Sequence, residues 1–237
     1  MVKLSISCDD YLPKDELELY IDAMNEIEGY LRSLLGNLDS NSYKTSSRIK
    51  SLDSVIGKLN KKEISYSTGN ILDNIHDISG VRVVFGQFDN DISLKEFDSV
   101  LEDKSLESVE LIADKKCENP YNRQNYMTYF LVDRILSDGK YRVFIDKNGD
   151  VKSKDYIREP KPSGYSSYHI ILVASNGKCV EVQIRNLCQH LWSVLEHKVI
   201  YKNKAGASSE QKKSFKYFAD FINNSESKKF KVKSLKI

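Results

Sequence analysis

The sequence predicts an α+β fold: a mixed sheet of about five strands with helices before and after it. Three observations carry this expectation. Residues 14–35 repeat apolar side chains at helical spacing. Short runs rich in β-branched residues begin at Gly80 and recur to Ile184. Helical spacing then returns after Arg185.

The first helix rests on Leu17, Tyr20, Ile21, Met24, Ile27, Leu31, Leu34 and Leu35, with acidic residues on its other face and Gly36 as its stop. A second helix is expected over Leu52–Asn60, a loop over residues 65–70 and a short helix over Ile71–Ile75. Gly80–Phe85 reads as a buried strand. His169–Ala174 and Cys179–Ile184 read as two more, joined by the turn Ser175-Asn176-Gly177. Tyr141–Asp146, followed by Lys147-Asn148-Gly149, reads as a further strand, with Thr128–Leu136 as its partner beside the sheet. Leu187, Leu191, Leu195 and Val199 mark the later helix, and residues 213–223 a last one.

The chain has 237 residues, 40% apolar and 30% charged, which is enough to bury a core and unlike a disordered composition. Its net charge of +2 hides an uneven distribution. Residues 9–28 hold eight acidic residues against Lys14, and residues 211–237 hold eight lysines against Asp220 and Glu226. Cys8, Cys117, Cys179 and Cys188 form no CxxC pair, and residues 1–13 contain no apolar signal core. These features predict reduced thiols and a cytoplasmic location. The longest strongly apolar run, Ile170–Ala174, is too short to span a bilayer, so no membrane partner is expected.

Four segments hold polar residues that a core does not need. In Arg48–Lys58, a helix would place Lys50, Ser54 and Lys58 on one face, two ammonium groups and a hydroxyl suited to a triphosphate. In His76–Arg82, Asp77 stands at the mouth of a strand where a carboxylate can hold Mg²⁺, and Arg82 can stack on a base. The stretch Asp155–His169 carries two of the four prolines, followed by Gly164. Such a stiff loop would hold Arg158, Lys161 and His169 in fixed relation for phosphate, with Tyr165 presenting a ring to a base. Finally, Glu181, Gln183 and Arg185 alternate along one strand and so share a face. On the helix that follows, Trp192 suits the core, and His197 is equally compatible with a structural or a site role.

Together and in this order, RIKSLDSVIGK, HDISGVRVVF, DYIREPKPSGYSSYH and EVQIRNLCQHLWSVLEHKVIYK resemble the synthetase domain of the RelA/SpoT family, most closely its small single-domain members. The resemblance covers residues 48–202, roughly two thirds of the chain. It implies a nucleotidyltransferase-like fold and an ATP-dependent pyrophosphokinase that makes a guanosine alarmone from GTP, GDP or GMP, without a fused hydrolase. It implies that Arg48 and Arg82 sandwich adenine, and that Lys50, Ser54 and Lys58 hold the ATP phosphates. Asp77 would bind Mg²⁺, and Glu181 would complete that site or act as the base. Tyr165 would stack on guanine, Arg158, Lys161 and His169 would meet acceptor phosphates, and Gln183 would lie near the acceptor. A homo-oligomer is a further implication.

The expected organisation is one synthetase domain over 1–237, with a core at 44–202, an insertion at about 86–150, and a C-terminal helix and basic tail at 207–237. Two departures from the family stand out. About 70 residues separate the strand at 81–85 from Asp155, where small synthetases have a short connection. His190 stands where they often have Asn facing guanine. The alternative reading is a toxin-type relative that pyrophosphorylates the 3′-CCA end of tRNA.

Overall fold

The computed structural model describes residues 11–86, 121–198, 208, 209, 213, 215–217 and 219, with the backbone alone for 121–124. Ten elements follow in order: α1 (Lys14–Leu34), β1 (Tyr43–Ile49), α2 (Leu52–Lys61), α3 (Thr68–Asn74), β2 (Ser79–Phe85), α4 (Tyr121–Asp138), β3 (Ser153–Asp155), β4 (Tyr168–Val173), β5 (Cys179–Asn186) and α5 (Leu187–Glu196).

The sheet has five strands in the order β1-β2-β5-β4-β3. Only β2 and β5 run parallel; the other neighbours are antiparallel. The mixed α+β architecture expected from the sequence is therefore present. The β4–β5 hairpin turns at Ser175-Asn176-Gly177, where Gly177 adopts φ +81°, a conformation that favours glycine.

The register sorts the sheet into two chemically different faces. Val81 pairs with Val182, and Val182 with Ile170. These side chains pack with Ala23, Met24, Ile27 and Leu31 of α1 and with Tyr129, Leu131, Val132 and Ile135 of α4, forming the main core. The intervening positions face the other way: Ser46, Arg48, Gly80, Arg82, His169, Glu181, Gln183 and Arg185. A smaller core of Val55, Leu59, Ile71, Ile75 and Ile78 seats α2 and α3 beside this second face.

Several expectations require correction. Thr128–Leu136 is not a strand but part of α4. Its aromatic and β-branched residues suggested a sheet, yet Thr128, Leu131, Val132 and Ile135 bury one helical stripe against the core. Tyr141–Asp146 is extended but joins by isolated bridges only, Val143 to Leu172 and Ile145 to Val151. The short helix begins earlier than expected, at Thr68, because the Ser67 hydroxyl accepts from the Asn70 amide and caps it. β1 lacks apolar alternation and was not expected as a strand. Of the last helix, residues 209, 213, 215–217 and 219 are helical, and the remainder of 213–223 lies outside the described residues, as does Val199. Not all thiols are reduced: Cys188 is disulfide-bonded, while Cys179 is a free thiol. No described helix is long and apolar enough to cross a membrane.

Candidate active site

The polar face of the sheet floors a cavity of about 570 Å³, a size suited to a small ligand. β1 and β2 contribute Arg48 and Arg82, and β5 contributes Glu181, Gln183 and Arg185. Lys50, Lys58 and Asp77 join the lining, as do Tyr156, Lys161, Tyr165 and His169. Ser193 and Val194 of α5, with His197 just past its end, complete the lining. A smaller recess of about 200 Å³ continues between β1 and β2, lined by Ser46, Ser47, Arg48, Gly80 and Arg82.

Arg48 lies opposite Gly80, and Arg82 follows two residues later on the same face. The two guanidinium-bearing residues are thus diagonal neighbours across an antiparallel pair. Gly80 leaves the space between Arg48 and Glu181 open; a Cβ there would lie 3.3 Å from the Glu181 carbonyl oxygen.

The two carboxylates occupy contrasting settings. Asp77 is buried beneath two ammonium groups: Lys50 Nζ lies 2.9 Å from its Oδ2, and Lys58 Nζ bonds the same oxygen. Lys50 precedes α2 instead of lying on it, because β1 runs to Ile49. The common helical face expected for Lys50, Ser54 and Lys58 is therefore absent, and it is Asp77 that gathers the two lysines. Ser54 turns to the Ser51 hydroxyl at 2.9 Å and does not line the cavity.

Glu181 is the centre of a hydrogen-bonded chain. Its Oε1 lies 2.9 Å from His169 Nδ1, and Gln183 Nε2 donates to its Oε2 at 2.7 Å. His169 Nε2 in turn lies 2.8 Å from the Tyr165 hydroxyl. Burial acts to raise the Glu181 pKa, but the His169 and Gln183 hydrogen bonds and the charges of His169 and Lys58 outweigh it and hold the carboxyl at about 2. Lys161 Nζ sits 4.7 Å from the ring centres of both Tyr156 and Tyr165. Burial lowers the Lys161 pKa.

Besides Ser54, two expected site residues stand elsewhere. Arg158 lies over the Tyr129 ring at 5.0 Å and 3.5 Å from Asp155 Oδ2, away from the cavity lining. His190 is fully buried, its Nδ1 2.8 Å from Arg185 Nη2, so it supports Arg185 from behind and does not face the cavity. Conversely, Tyr156 lines the cavity without having been singled out. The signal available was a second tyrosine within the same stiff loop as Tyr165.

Residues 142–206 match the family model described as the region found in RelA / SpoT proteins. The GTP pyrophosphokinase YwaC of Bacillus subtilis (strain 168) is 30% identical over 165 residues, 67% of this chain. The chain belongs to the RelA/SpoT family. The match spans 58% of that relative's own length. The small alarmone synthetase 2 of Bacillus subtilis superimposes with a TM-score of 0.58 at 24% identity, over 89% of this chain and 92% of that one. The small alarmone synthetase 1 of the same organism, bound to its product pppGpp, gives a TM-score of 0.54 at 20% identity, over 89% and 91% of the two chains. This RelA/SpoT member thus has the fold of those proteins. Of its four signature segments, the structure brings Arg48, Lys50, Lys58, Asp77, Arg82, Lys161, Tyr165, His169, Glu181 and Gln183 around one cavity.

Proposed function

We propose that this chain transfers the β,γ-pyrophosphate of ATP to the 3′-hydroxyl of a guanosine nucleotide, within one synthetase domain. The observation that carries the reading is one cavity lined by Arg48, Lys50, Lys58, Arg82 and Lys161, by two acidic side chains, and by Tyr156 and Tyr165. A cation-rich pocket with aromatic faces suits two nucleotides whose phosphates meet. The relatives named GTP pyrophosphokinase and the structure bound to pppGpp support the same chemistry.

The residues divide naturally. Arg48 and Arg82 offer planar guanidinium groups for adenine. Lys50 and Lys58 are positioned to exchange the Asp77 carboxylate for ATP phosphates. Tyr165 offers a ring face to guanine, and Lys161 beside it a charge for acceptor phosphate. The acceptor 3′-oxygen attacks the β-phosphorus and its hydroxyl proton passes to solvent, while the bond from that phosphorus to the α–β bridging oxygen breaks and AMP leaves with the electron pair. Asp77 and Glu181 suit Mg²⁺, a hard cation that takes one or two carboxylates beside phosphate oxygens. Asp77 and Glu181 line both the cavity and the recess beside it, so the two carboxylates form a donor set of the kind Mg²⁺ takes. Bound there, Mg²⁺ would neutralise charge on the transferring phosphates. Held as a carboxylate by its His169 and Gln183 hydrogen bonds, Glu181 can face a cation.

The test incubates the purified chain with ATP labelled in its β,γ-phosphates, Mg²⁺, and GTP, GDP, GMP or tRNA in separate reactions. Label should appear in a 3′-pyrophosphorylated guanosine nucleotide without RNA. Label in tRNA alone would replace this reading with transfer to the 3′-CCA end.

A further inference from the structure

The Pro-rich loop ends at a glycine that touches the far end of the chain. Gly164 adopts φ +91°, and a Cβ built on it would lie 2.2 Å from the Ala219 Cβ and 3.4 Å from Trp192 Cζ2. Ala219 is buried, as is Phe215, four residues earlier on the same helical face. Trp192 Nε1 donates to the Phe215 carbonyl at 3.1 Å, and the two rings meet edge to face with centres 6.5 Å apart. Tyr217 between them points outward and is 77% exposed.

From Gly164 the contact passes directly into the cavity. Gly164 N donates to the Lys161 carbonyl at 2.7 Å, and Lys161 N donates to the Tyr165 carbonyl at 3.0 Å. These two bonds close residues 161–165 into one small unit. The same unit carries the Lys161 ammonium and the Tyr165 ring. On α5, Trp192 holds the outer side of this unit, while the adjacent Ser193 and Val194 line the cavity.

We propose that Phe215 and Ala219 form a clamp that positions the 161–165 unit for the acceptor, with Trp192 as its pivot. The proposal rests on the acceptor reading above. Ala219 is a positioning residue: it touches Gly164, not the ligand, and only a small side chain fits there. In that reading ATP meets Arg48, Lys50, Lys58 and Arg82, none of which belongs to the 161–165 unit, so displacing the clamp should act mainly on the acceptor.

Trp192 is the chain's single tryptophan, so its emission reads the clamp directly. In the full chain, Ala219→Leu should raise KM for GTP and GDP about tenfold, as expected when a binding group is displaced by a fraction of an ångström. KM for ATP should stay within about twofold of wild type, and Trp192 emission should shift to the red. Ala219→Ser should restore both values, and Tyr217→Ala should alter neither. In the wild-type chain, saturating GDP should change Trp192 emission, a result that needs no variant to fold. A rise in KM for ATP equal to that for the acceptor, or Trp192 emission indifferent to GDP, overturns the clamp. If the wild-type chain turns over no guanosine nucleotide, the proposed function falls separately; the clamp then fails if Ala219→Leu leaves Trp192 emission unchanged.

Discussion

Tyr165 shows how much one side chain can be asked to do. Its ring borders Lys161, and its hydroxyl is held by His169, which is itself held by Glu181. Removing the ring and removing the hydroxyl therefore test different things. Tyr165→Ala should cost about 1–3 kcal/mol of acceptor stacking, read as roughly a ten- to hundredfold loss in kcat/KM for the acceptor. Tyr165→Phe keeps the ring and loses one hydrogen bond, worth about 0.5–1.5 kcal/mol. Equal losses in the two variants would place the importance in the hydroxyl–His169 contact instead of stacking. The sequence showed Tyr165 through its loop, whereas Tyr156 gained its place only when the loop folded back to put both rings around Lys161.

Two joints between elements can be tested in the same manner. β5 runs directly into α5, and Asn186 makes the junction: its side chain accepts from Gln189 N at 2.9 Å while the Gln189 side chain accepts from Asn186 N at 2.9 Å. Asn125 of α4 ties both side chains, accepting from Asn186 at 2.9 Å and from Gln189 at 3.3 Å. Asn186→Ala should lower stability by about 0.5–2 kcal/mol, measured by denaturant unfolding. Because α5 carries Ser193 and Val194 to the cavity, with His197 just past its end, substrate KM should rise as well. The second joint is Glu28, which fastens α1 to β1 by accepting from Thr45 Oγ1 at 2.7 Å. Burial alone would raise its pKa, but the Thr45, Arg32 and Ser47 hydrogen bonds prevail and lower it below 4.5. A depressed folded pKa means that this stabilisation is complete above the ordinary value and lost as pH falls through the folded one. The melting temperature should thus fall below about pH 4.5, and Glu28→Gln should make that decline shallower while lowering the melting temperature at neutral pH. An identical acid slope in both proteins would show that Glu28 does not contribute.

At the scale of the whole molecule, the sheet separates stability from chemistry by its two faces. Ile184 and Arg185 are sequence neighbours on β5, yet one packs in the core and the other lines the cavity. Ile184→Ala should cost about 2–5 kcal/mol of unfolding free energy, since a fully buried side chain leaves a cavity behind. At a temperature where the variant stays folded, KM for either substrate should change little. A large change in KM without loss of stability would mean that the two faces are not independent.

The sequence by itself determined which segments line the cavity and most of the regular elements around them. α1, α2, β2, β4, β5 and α5 each declare themselves by a local period, and a local period is a property of consecutive residues. The alternation of Glu181, Gln183 and Arg185 likewise needed only the pleat of a strand. Tertiary structure decided the rest. β1 has no apolar alternation and becomes a strand only because β2 supplies its hydrogen bonds, which also places Arg48 diagonally from Arg82. Residues 128–136 satisfy the composition of a strand, but the core offered a place for a helical stripe. Lys50 and Lys58 converge through Asp77, not through a shared helix, and His190 is drawn inward to Arg185. In each case the deciding partner lies far away in the chain, where pairing and charge neutralisation act but local spacing cannot reach.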